Sequence, residues 1–267
     1  MKFNEFTCLE LGEKPLDNLV TDGGFTSILR EIVCVGDSLS SGEFEHIDEN
    51  GTYTFHDKFD YSWGQFIARS AGVKVYNYSR GGMSAKEYMQ TFAEANDFFN
   101  PDVIPNAYII ALGINDLLCL KQPLGDISDI DLENPENNKD TFAGWYARII
   151  LKYKSINPNA KFFFVTMPME NSLDDVANPI KKQHAKLLYQ FAEMFSNSYV
   201  IDLFKYAPLC DKEYKDKFYL EGHLNPAGYK LAAVLISSYI NYIIKSDYKA
   251  FKQVGFIGTE YYKKSLE

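Results

Sequence analysis

Short apolar runs alternate along the chain with longer runs in which apolar residues recur at helical spacing. The apolar runs predict strands at 31 to 35, 73 to 78, 107 to 112, 161 to 166 and 198 to 203. The longer runs predict helices at 62 to 71, 84 to 96, 141 to 156, 177 to 196 and 226 to 245. Strands that alternate with crossover helices form a parallel, doubly wound sheet, so the pattern predicts an α/β fold.

Residues at the predicted helix ends support these boundaries. Gly72 follows the first helix, and Ser84 with Glu87 has the spacing of a capping box at the start of the second. Asn225 and Pro226 are typical of the cap and first turn of the last helix.

Ser38 is the first candidate for chemistry. It lies in Gly36-Asp37-Ser38-Leu39-Ser40, directly after the predicted strand at 31 to 35. In open parallel sheets, ligands bind beyond the carboxyl ends of the strands, which favours a functional role. Gly, Asp and Ser also form ordinary turns and helix caps, so the motif alone leaves both interpretations open.

A serine nucleophile needs a base, and the chain has four histidines. His46 and His56 lie in a polar, aromatic segment, and His184 lies among lysines on a predicted helix. We expect all three to be solvated. His223 directly precedes the Asn225 cap, where a helix start would hold it in place. A histidine that only packs near a cap is the alternative.

Acyl transfer also needs hydrogen-bond donors for the oxygen that becomes negative. Two predicted strands are followed by residues that can donate: Gly82 through its backbone N–H and Asn115 through its side-chain amide. Each segment taken singly could be an ordinary strand-to-helix turn. Their occurrence together with Ser38 and His223 favours an oxyanion site.

These four motifs resemble the SGNH hydrolases, also called the GDSL esterase and lipase family. The matching blocks are Gly36 to Ser40, Asn77 to Gly82, Gly113 to Asp116, and His223 to Pro226. The resemblance implies Ser38 as nucleophile and His223 as base. It also implies an oxyanion hole made by the Ser38 and Gly82 N–H groups and the Asn115 side chain. The implied fold is a flavodoxin-like three-layer α/β/α sandwich with a five-stranded parallel sheet.

One residue departs from the family pattern. The family usually has an aspartate three residues before the histidine, and this chain has Leu220 there. We predict that the backbone carbonyl of Leu220 orients the imidazole in its place. Asp216 or Glu221 could substitute as a carboxylate, and a third alternative is a protein that does not catalyse.

Two segments are longer than usual α/β connections. Residues 43 to 61 contain Phe44, Tyr53, Phe55, Phe59 and Tyr61, with Trp63 just beyond. These rings could stack on a sugar or cover an acyl chain, or pack the loop onto its own domain. Residues 117 to 140 have acidic spacing similar to a calcium loop but lack its glycine and terminal glutamate, so we interpret them as a solvated lid.

Composition narrows the functional class. The chain has 267 residues and 46% hydrophobic residues, enough for a single domain over 1–267 with extensions at 1–30 and 246–267. These extensions could pack together or meet another subunit. The net charge of −9, with scattered basic residues, disfavours nucleic acid as a partner.

The N-terminal residues do not have a signal-peptide pattern, and no run approaches about 20 apolar residues, so we expect a cytoplasmic protein without a membrane span. Its four cysteines have no C-x-x-C spacing, which favours reduced, mostly buried thiols and no metal site.

The sequence therefore predicts a serine esterase that works through an acyl-enzyme without a cofactor. Its substrate would be a small-molecule or carbohydrate ester, and removal of a small acyl group from a carbohydrate is the preferred hypothesis. A lysophospholipase or thioesterase of the same family, or a non-catalytic binding module, are the alternatives. A flavodoxin-like nucleotide binder is disfavoured, since no phosphate-binding glycine motif follows a strand.

Overall fold

The computed structural model describes residues 8–171 and 176–263. Its strands are β1 Glu31–Gly36, β2 Glu43–Ile47, β3 Tyr53–Asp57, β4 Lys74–Ser79, β5 Ala107–Ala111, β6 Lys161–Val165, β7 Ser198–Ile201, β8 Tyr219–Leu220 and β9 His223–Leu224. Its α-helices are α1 Ser38–Ser41, α2 Trp63–Ala71, α3 Ala85–Glu87, α4 Ala93–Ala95, α5 Phe142–Ile156, α6 Asn178–Met194, α7 Leu203–Tyr206, α8 Lys212–Phe218 and α9 Pro226–Ser246. Short 3-10 or π-helical turns occupy Gly24–Ile28, Phe59–Tyr61, Tyr88–Phe92, Asn115–Cys119, Ile127–Asp129, Pro135–Asn137 and Val254–Phe256.

Five parallel strands form the central sheet in the order β4-β1-β5-β6-β7. Counted along the chain, this is the order 2-1-3-4-5 of flavodoxin-like folds. The predicted α/β sheet is therefore confirmed. The order in which the chain adds strands reverses at β1, with β4 on one side and β5 on the other, and ligands of such sheets bind at this switch point, beyond the strand ends.

The sheet is apolar on both faces because its strands are nearly continuous apolar runs, and successive residues of a strand point to opposite faces. Val33 and Val35 of β1 belong to one core with α5 and α6. Ile32 and Cys34 belong to the other core, with α2 and α9. Helices on both faces make three layers, as the resemblance implied.

The predicted helix ends agree with the structure where the sequence had a cap. The Ser84 side chain accepts the Glu87 N–H, and the Asn225 side chain accepts the Gly228 N–H. Gly72 ends α2 with φ 66°. The predicted helix at 84 to 96 instead contains a π-helical turn at Tyr88–Phe92 between α3 and α4.

The prediction of a solvated His184 is wrong. His184 is fully buried and its Nε2 lies 3.2 Å from the Leu112 carbonyl oxygen. Lys181 is also buried, and its Nζ bonds the Pro168 carbonyl and the Glu170 carboxylate. Burial lowers the pKa of His184 to about 4, so the ring is neutral. The face of α6 that carries Lys181 and His184 is therefore buried inside the fold.

The first insertion is an antiparallel hairpin of β2 and β3, which the sequence analysis treated as loop. The Asp48 side chain closes its turn by accepting the Asn50 and Thr52 N–H groups, and Gly51 has φ 79°. Asn-Gly between alternating residues is a hairpin signal that could have revealed it. The second insertion is mostly exposed and is fixed by buried Asp129 and Asn138.

The described parts of the terminal extensions pack on the α9 side of the sheet. Phe25 contacts Tyr248 edge-to-face, the Arg30 guanidinium donates to the Ile257 carbonyl, and Lys245 pairs with Glu13. The two extensions thus join the body of this chain. Residues 1–7 and 264–267 of these extensions lie outside the described residues.

The structure also bears on the predictions about a membrane span and about the burial of the cysteines. By length and composition α9 could cross a membrane, but 61% of its apolar window is buried inside the fold, as in the core helix of a globular domain. Cys34 and Cys210 are buried as expected, whereas Cys8 and Cys119 are exposed.

Candidate active site

Ser38 is the first residue of α1, immediately beyond β1. The turn is held by Asp37, whose side chain accepts the Leu39 N–H. It is also tight: a Cβ at Gly36 would lie 2.1 Å from the Ser40 Oγ and 3.0 Å from the Ala111 carbonyl oxygen. Only glycine fits there, which explains the first residue of the motif. Burial raises the pKa of the Asp37 carboxyl to about 7, with the charges of Asp116 and Glu43 adding to the effect.

The two predicted donors lie on neighbouring loops beyond β4 and β5. Gly82 has φ 70° and is exposed, and a Cβ there would have no atom within 4 Å, so the space over its backbone is open. The Asn115 Nδ2 donates to the Met83 carbonyl at 3.1 Å. An amide has two N–H groups, so one can position Asn115 while the other serves a ligand.

Asp116 braces the same two loops, a function that the sequence analysis did not identify. Its Oδ1 accepts the Ala85 N–H at 2.8 Å, and its Oδ2 is buried without a hydrogen bond among the described residues. Burial raises the pKa of Asp116 to about 6. Asn115 and Asp116 therefore fix the segment after Gly82 through one side chain each.

His223 is the first residue of β9, which forms a short antiparallel hairpin with β8 directly before α9. It is partly buried and contacts the exposed ring of Phe55 edge-to-face, with 6.0 Å between ring centroids. Tyr229, one turn into α9, donates through its hydroxyl to the Glu43 carbonyl at 2.6 Å. The start of α9, the β8–β9 turn and the β2–β3 hairpin thus converge beside α1.

The carboxylate of Glu45 holds the imidazole. Its Oε2 lies 3.0 Å from Nδ1 of His223 and also accepts the Gly222 N–H at 2.8 Å. An ionised carboxylate only accepts, so Nδ1 carries the proton in this pair. A Cβ at Gly222 would lie 2.4 Å from the same oxygen, so glycine is needed for this approach.

This geometry corrects the predicted orienter. Leu220 pairs with His223 through the backbone of the β8–β9 hairpin, and the ring nitrogen bonds Glu45 instead. Asp216 forms an ion pair with Lys212 on an exposed part of α8. Glu221 is exposed in the turn with φ 44°. Sequence reasoning missed Glu45 because a hairpin brings it across 178 residues.

A second carboxylate lies on the other side of the ring. Glu43 Oε1 is 3.3 Å from Nε2 of His223, and burial raises the pKa of Glu43, with His223 opposing the shift and Asp57 and Glu45 adding to it. Glu43 and Glu45 share one face of β2 because strand residues two apart point the same way. Among the described residues no hydrogen bond joins Ser38 Oγ to His223.

The site thus combines a hydroxyl at a strand end, two donor groups on adjacent loops, and a histidine whose Nδ1 is bonded to a carboxylate. This arrangement suits nucleophilic acyl transfer. Within 8–171 and 176–263, no group of three or more His, Cys, Asp or Glu side chains could hold a metal ion.

Comparison of the sequence with family profiles gives a match to the GDSL-like Lipase/Acylhydrolase family over residues 32–236. The match begins in β1 and ends in α9, so it includes Ser38, Gly82, Asn115 and His223. A search of curated proteins finds no significant match.

Solved structures share the fold at low sequence identity. A carbohydrate esterase family 2 enzyme with a carbohydrate-binding domain from Corynascus thermopiles (Myceliophthora fergusii) is 15% identical, with a TM-score of 0.55 over 79% of this chain and 65% of its own. A family two carbohydrate esterase from Clostridium thermocellum, in complex with cellohexaose, is 16% identical, with a TM-score of 0.55 over 91% and 68%. A Lactobacillus plantarum protein is 16% identical, with a TM-score of 0.57 over 82% and 98%.

Proposed function

The chain belongs to the GDSL-like lipase and acylhydrolase family, and on this premise we propose that it hydrolyses carboxylic esters with Ser38 as the nucleophile and His223 as the base. One observation carries the proposal. Ser38, Gly82 and Asn115 follow the adjacent strands β1, β4 and β5, and His223 lies beside them with its Nδ1 bonded to Glu45.

In the first half of the reaction, Ser38 Oγ bonds to the ester carbonyl carbon and its proton passes to His223 Nε2. The carbonyl oxygen becomes negative and is bound by the Ser38 and Gly82 N–H groups and the Asn115 amide. Collapse of this intermediate breaks the bond to the alcohol oxygen. His223 gives the alcohol its proton, and the acyl group stays on Ser38.

In the second half, His223 takes a proton from water, whose oxygen attacks the acyl carbon. The same donors bind the oxyanion, the bond to Ser38 Oγ breaks, and the serine regains its proton from His223. The acid is released. Glu45 remains ionised throughout, holds the tautomer with its proton on Nδ1, and stabilises the imidazolium.

The Glu43 carboxylate must move away from Nε2 of His223 for this reaction. In the structure, its Oε1 lies 3.3 Å from Nε2, the nitrogen to which the Ser38 hydroxyl must donate. Hydrogen bonds of catalytic groups are often long or misaligned without substrate and tighten when it binds. We assign Glu43 no proton-transfer step. His223 is the base, and Glu45 is the carboxylate that bonds its Nδ1 and holds it in place.

A carbohydrate is our proposed alcohol part of the ester. Tyr53 and Phe55 are exposed on the hairpin, and Phe55 touches the His223 ring, so an aromatic face borders the site. The structures described as carbohydrate esterases support this choice only through the shared fold. Removal of an acetyl group remains a prediction, as does a cytoplasmic location.

The first experiment is hydrolysis of p-nitrophenyl esters from acetate to octanoate by the wild type and by Ser38→Ala. We expect the substitution to lower kcat about a thousandfold or more, because the covalent route is lost. Ser70→Ala in α2 is the matched control, since its hydroxyl bonds only backbone carbonyls of its own helix. Equal activity in the wild type and Ser38→Ala, or a wild type inactive on aryl and sugar esters, would favour a non-catalytic binding module.

A further inference from the structure

An apolar cavity of about 120 Å³ lies beyond the carboxyl ends of β5 and β6, under α9. Most of its wall is aliphatic, as in Leu112, Val165, Met167, Leu203, Leu235 and Ile236. None of these residues belongs to the acyl-transfer machinery described above. The cavity is therefore separate from the groups that carry out acyl transfer, and its wall can bind a different part of the substrate.

The cavity adjoins the candidate active site. Leu39, Ile114 and Leu224 line it, and each is the direct chain neighbour of a site residue: Ser38, Asn115 and His223 respectively. Consecutive Cα atoms are about 3.8 Å apart. Ser38, Gly82, Asn115 and His223 do not themselves line the cavity, but its wall includes the chain neighbours of the nucleophile, of one oxyanion donor and of the base, on three separate loops.

The chemistry of the wall selects an apolar group rather than a sugar. Of the polar residues in the wall, Thr166 already bonds Asp202 and the Phe204 N–H, and among the described lining residues the Ser40 Oγ alone is buried without a hydrogen bond. Cys210 bonds the Tyr219 hydroxyl. A sugar needs several free polar partners, whereas a hydrocarbon chain gains from the apolar surface it covers.

The size of the cavity sets the length of the chain. A protein cavity of about 150 Å³ holds a benzene molecule of six carbons. A cavity of about 120 Å³ is slightly smaller, so it fits a chain of about four carbons beyond the ester carbonyl. The methyl group of an acetyl ester would leave most of it empty.

We propose that this cavity binds the hydrocarbon tail of the acyl group, so that the protein prefers esters of acids with about four to six carbons over acetates. This inference rests on the proposed function, since the acyl group must be attached to Ser38. It replaces the acetyl group of the sequence-based hypothesis and leaves the carbohydrate alcohol unchanged.

The test uses p-nitrophenyl esters from acetate to decanoate with purified wild-type protein. We expect kcat/KM to rise about fourfold per added methylene up to about hexanoate, and then to fall, because each buried methylene adds hydrophobic stabilisation until the cavity is full. A maximum at acetate would overturn the proposal.

Two variants fill the cavity from different walls. Ala232→Phe on α9 and Ala207→Phe after α7 are each expected to lower the hexanoate-to-acetate ratio of kcat/KM about tenfold or more while acetate hydrolysis persists. Ala95→Phe, at an exposed position of α4, is the matched control. An unchanged ratio in both filling variants would contradict the inference.

A third variant covers the case in which the filled proteins do not fold. Leu235→Ala enlarges the same cavity and is expected to move the maximum to a longer acid.

Two isomeric esters then show which part of the substrate occupies the cavity. Ethyl hexanoate should be the better substrate, and preference for hexyl acetate would assign the cavity to the alcohol instead. Activity that survives Ser38→Ala would reject the proposed function itself, whereas Ser38-dependent activity with an acetate maximum would reject only this inference.

Discussion

At Gly222, the absence of a side chain decides whether a carboxylate can reach His223. A Cβ there would lie 2.4 Å from the Glu45 oxygen that bonds both the Gly222 N–H and the His223 ring. The turn is made of Glu221 with φ 44° and this glycine. Glycine in this tight turn thus allows the carboxylate of Glu45, which is distant in sequence, to bond His223 in place of the aspartate that the family usually has where this chain has Leu220.

Glu45→Ala is expected to lower kcat about 100- to 10,000-fold with little change in KM, because His223 would lose both its fixed tautomer and the charge that stabilises its imidazolium. Glu45→Gln should recover part of the loss, since an amide oxygen can still accept from Nδ1. Steady-state kinetics and a melting curve for each variant separate this effect from unfolding.

The exposed Glu49→Ala, in the turn of the same hairpin, is the matched control. Asp216→Ala and Glu221→Ala should keep most of the activity, since neither carboxylate reaches the ring. A loss in either as deep as that of Glu45→Ala would reject Glu45 as the orienter.

Asn115→Ala is expected to lower kcat about 100- to 1,000-fold, as is typical for loss of one oxyanion donor. Its effect on KM should be small because the donor acts mainly in the transition state. Asn96→Ala provides the control, since Asn96 also donates its Nδ2 to a backbone carbonyl but lies on an exposed helix end. A change confined to KM would indicate substrate binding instead.

At the scale of elements, the β2–β3 hairpin and the loops beyond β4 and β5 assemble the site. The hairpin supplies Glu43 and Glu45 from one face of β2, and Ser41 of α1 donates to Asp57 of β3 at 2.6 Å. The two loops are joined by Asn115 to the Met83 carbonyl and by Asp116 to the Ala85 N–H. Hydrogen bonds between elements, rather than any single loop, set the positions of the donors.

Asp116→Asn is expected to make stability less sensitive to a rise in pH from about 4 to about 7. The folded pKa of about 6 is above the ordinary 3.8, so the folded state holds this proton more tightly than the unfolded chain does. The Asp116 carboxyl therefore contributes fully to the free energy of unfolding of the wild type below pH 3.8, and this contribution is lost as pH rises through about 6. Asparagine keeps the acceptor for the Ala85 N–H and does not titrate.

Urea unfolding at pH 4.5 and pH 8 measures the difference between the two proteins. The stability of Asp116→Asn relative to wild type should increase between these values by about 2 kcal/mol, since part of the effect is already lost at pH 4.5. Exposed Asp60→Asn corrects for the general loss of a negative charge. A difference that does not vary with pH would contradict a raised pKa of the buried Asp116 carboxyl.

At the scale of the whole molecule, the C-terminal segment completes one face of the sheet. Phe251 is buried and stacks near Phe163 of β6 and Tyr199 of β7, with ring centroids 6.4 Å and 5.2 Å away. The Asn106 side chain before β5 donates to the Val254 carbonyl. Residues beyond α9 are thus part of the core beside the helix they follow.

Phe251→Ala is expected to lower the free energy of unfolding by about 3 to 5 kcal/mol, because it leaves a cavity against the sheet. Phe256→Ala, at a half-exposed ring of the same segment, should cost much less. Chemical denaturation of both variants measures this difference. Equal, small effects would mean that the segment is peripheral.

Much of the fold could be predicted because its signals are local. Each strand of the central five-stranded sheet overlaps a predicted apolar run, and the caps at Ser84 and Asn225 were readable from residues three or four apart. The π-helical turn at Tyr88–Phe92 was not, since a helix-period pattern does not distinguish a local change of winding. His184 was misjudged because its lysine neighbours in sequence are not its neighbours in space.

The sequence by itself determined the α/β class, the motif positions after β1, β4 and β5, and the identity of the candidate nucleophile, donors and base. These features follow from strand and turn chemistry within a few residues of each group. Only the tertiary structure decided which carboxylate holds His223, which one faces its Nε2, and what space lies beside Ser38. Those contacts join residues as far apart as Glu45 and His223. The Asn-Gly turn signals the hairpin locally, but no local signal shows that the hairpin packs against the turn that carries His223.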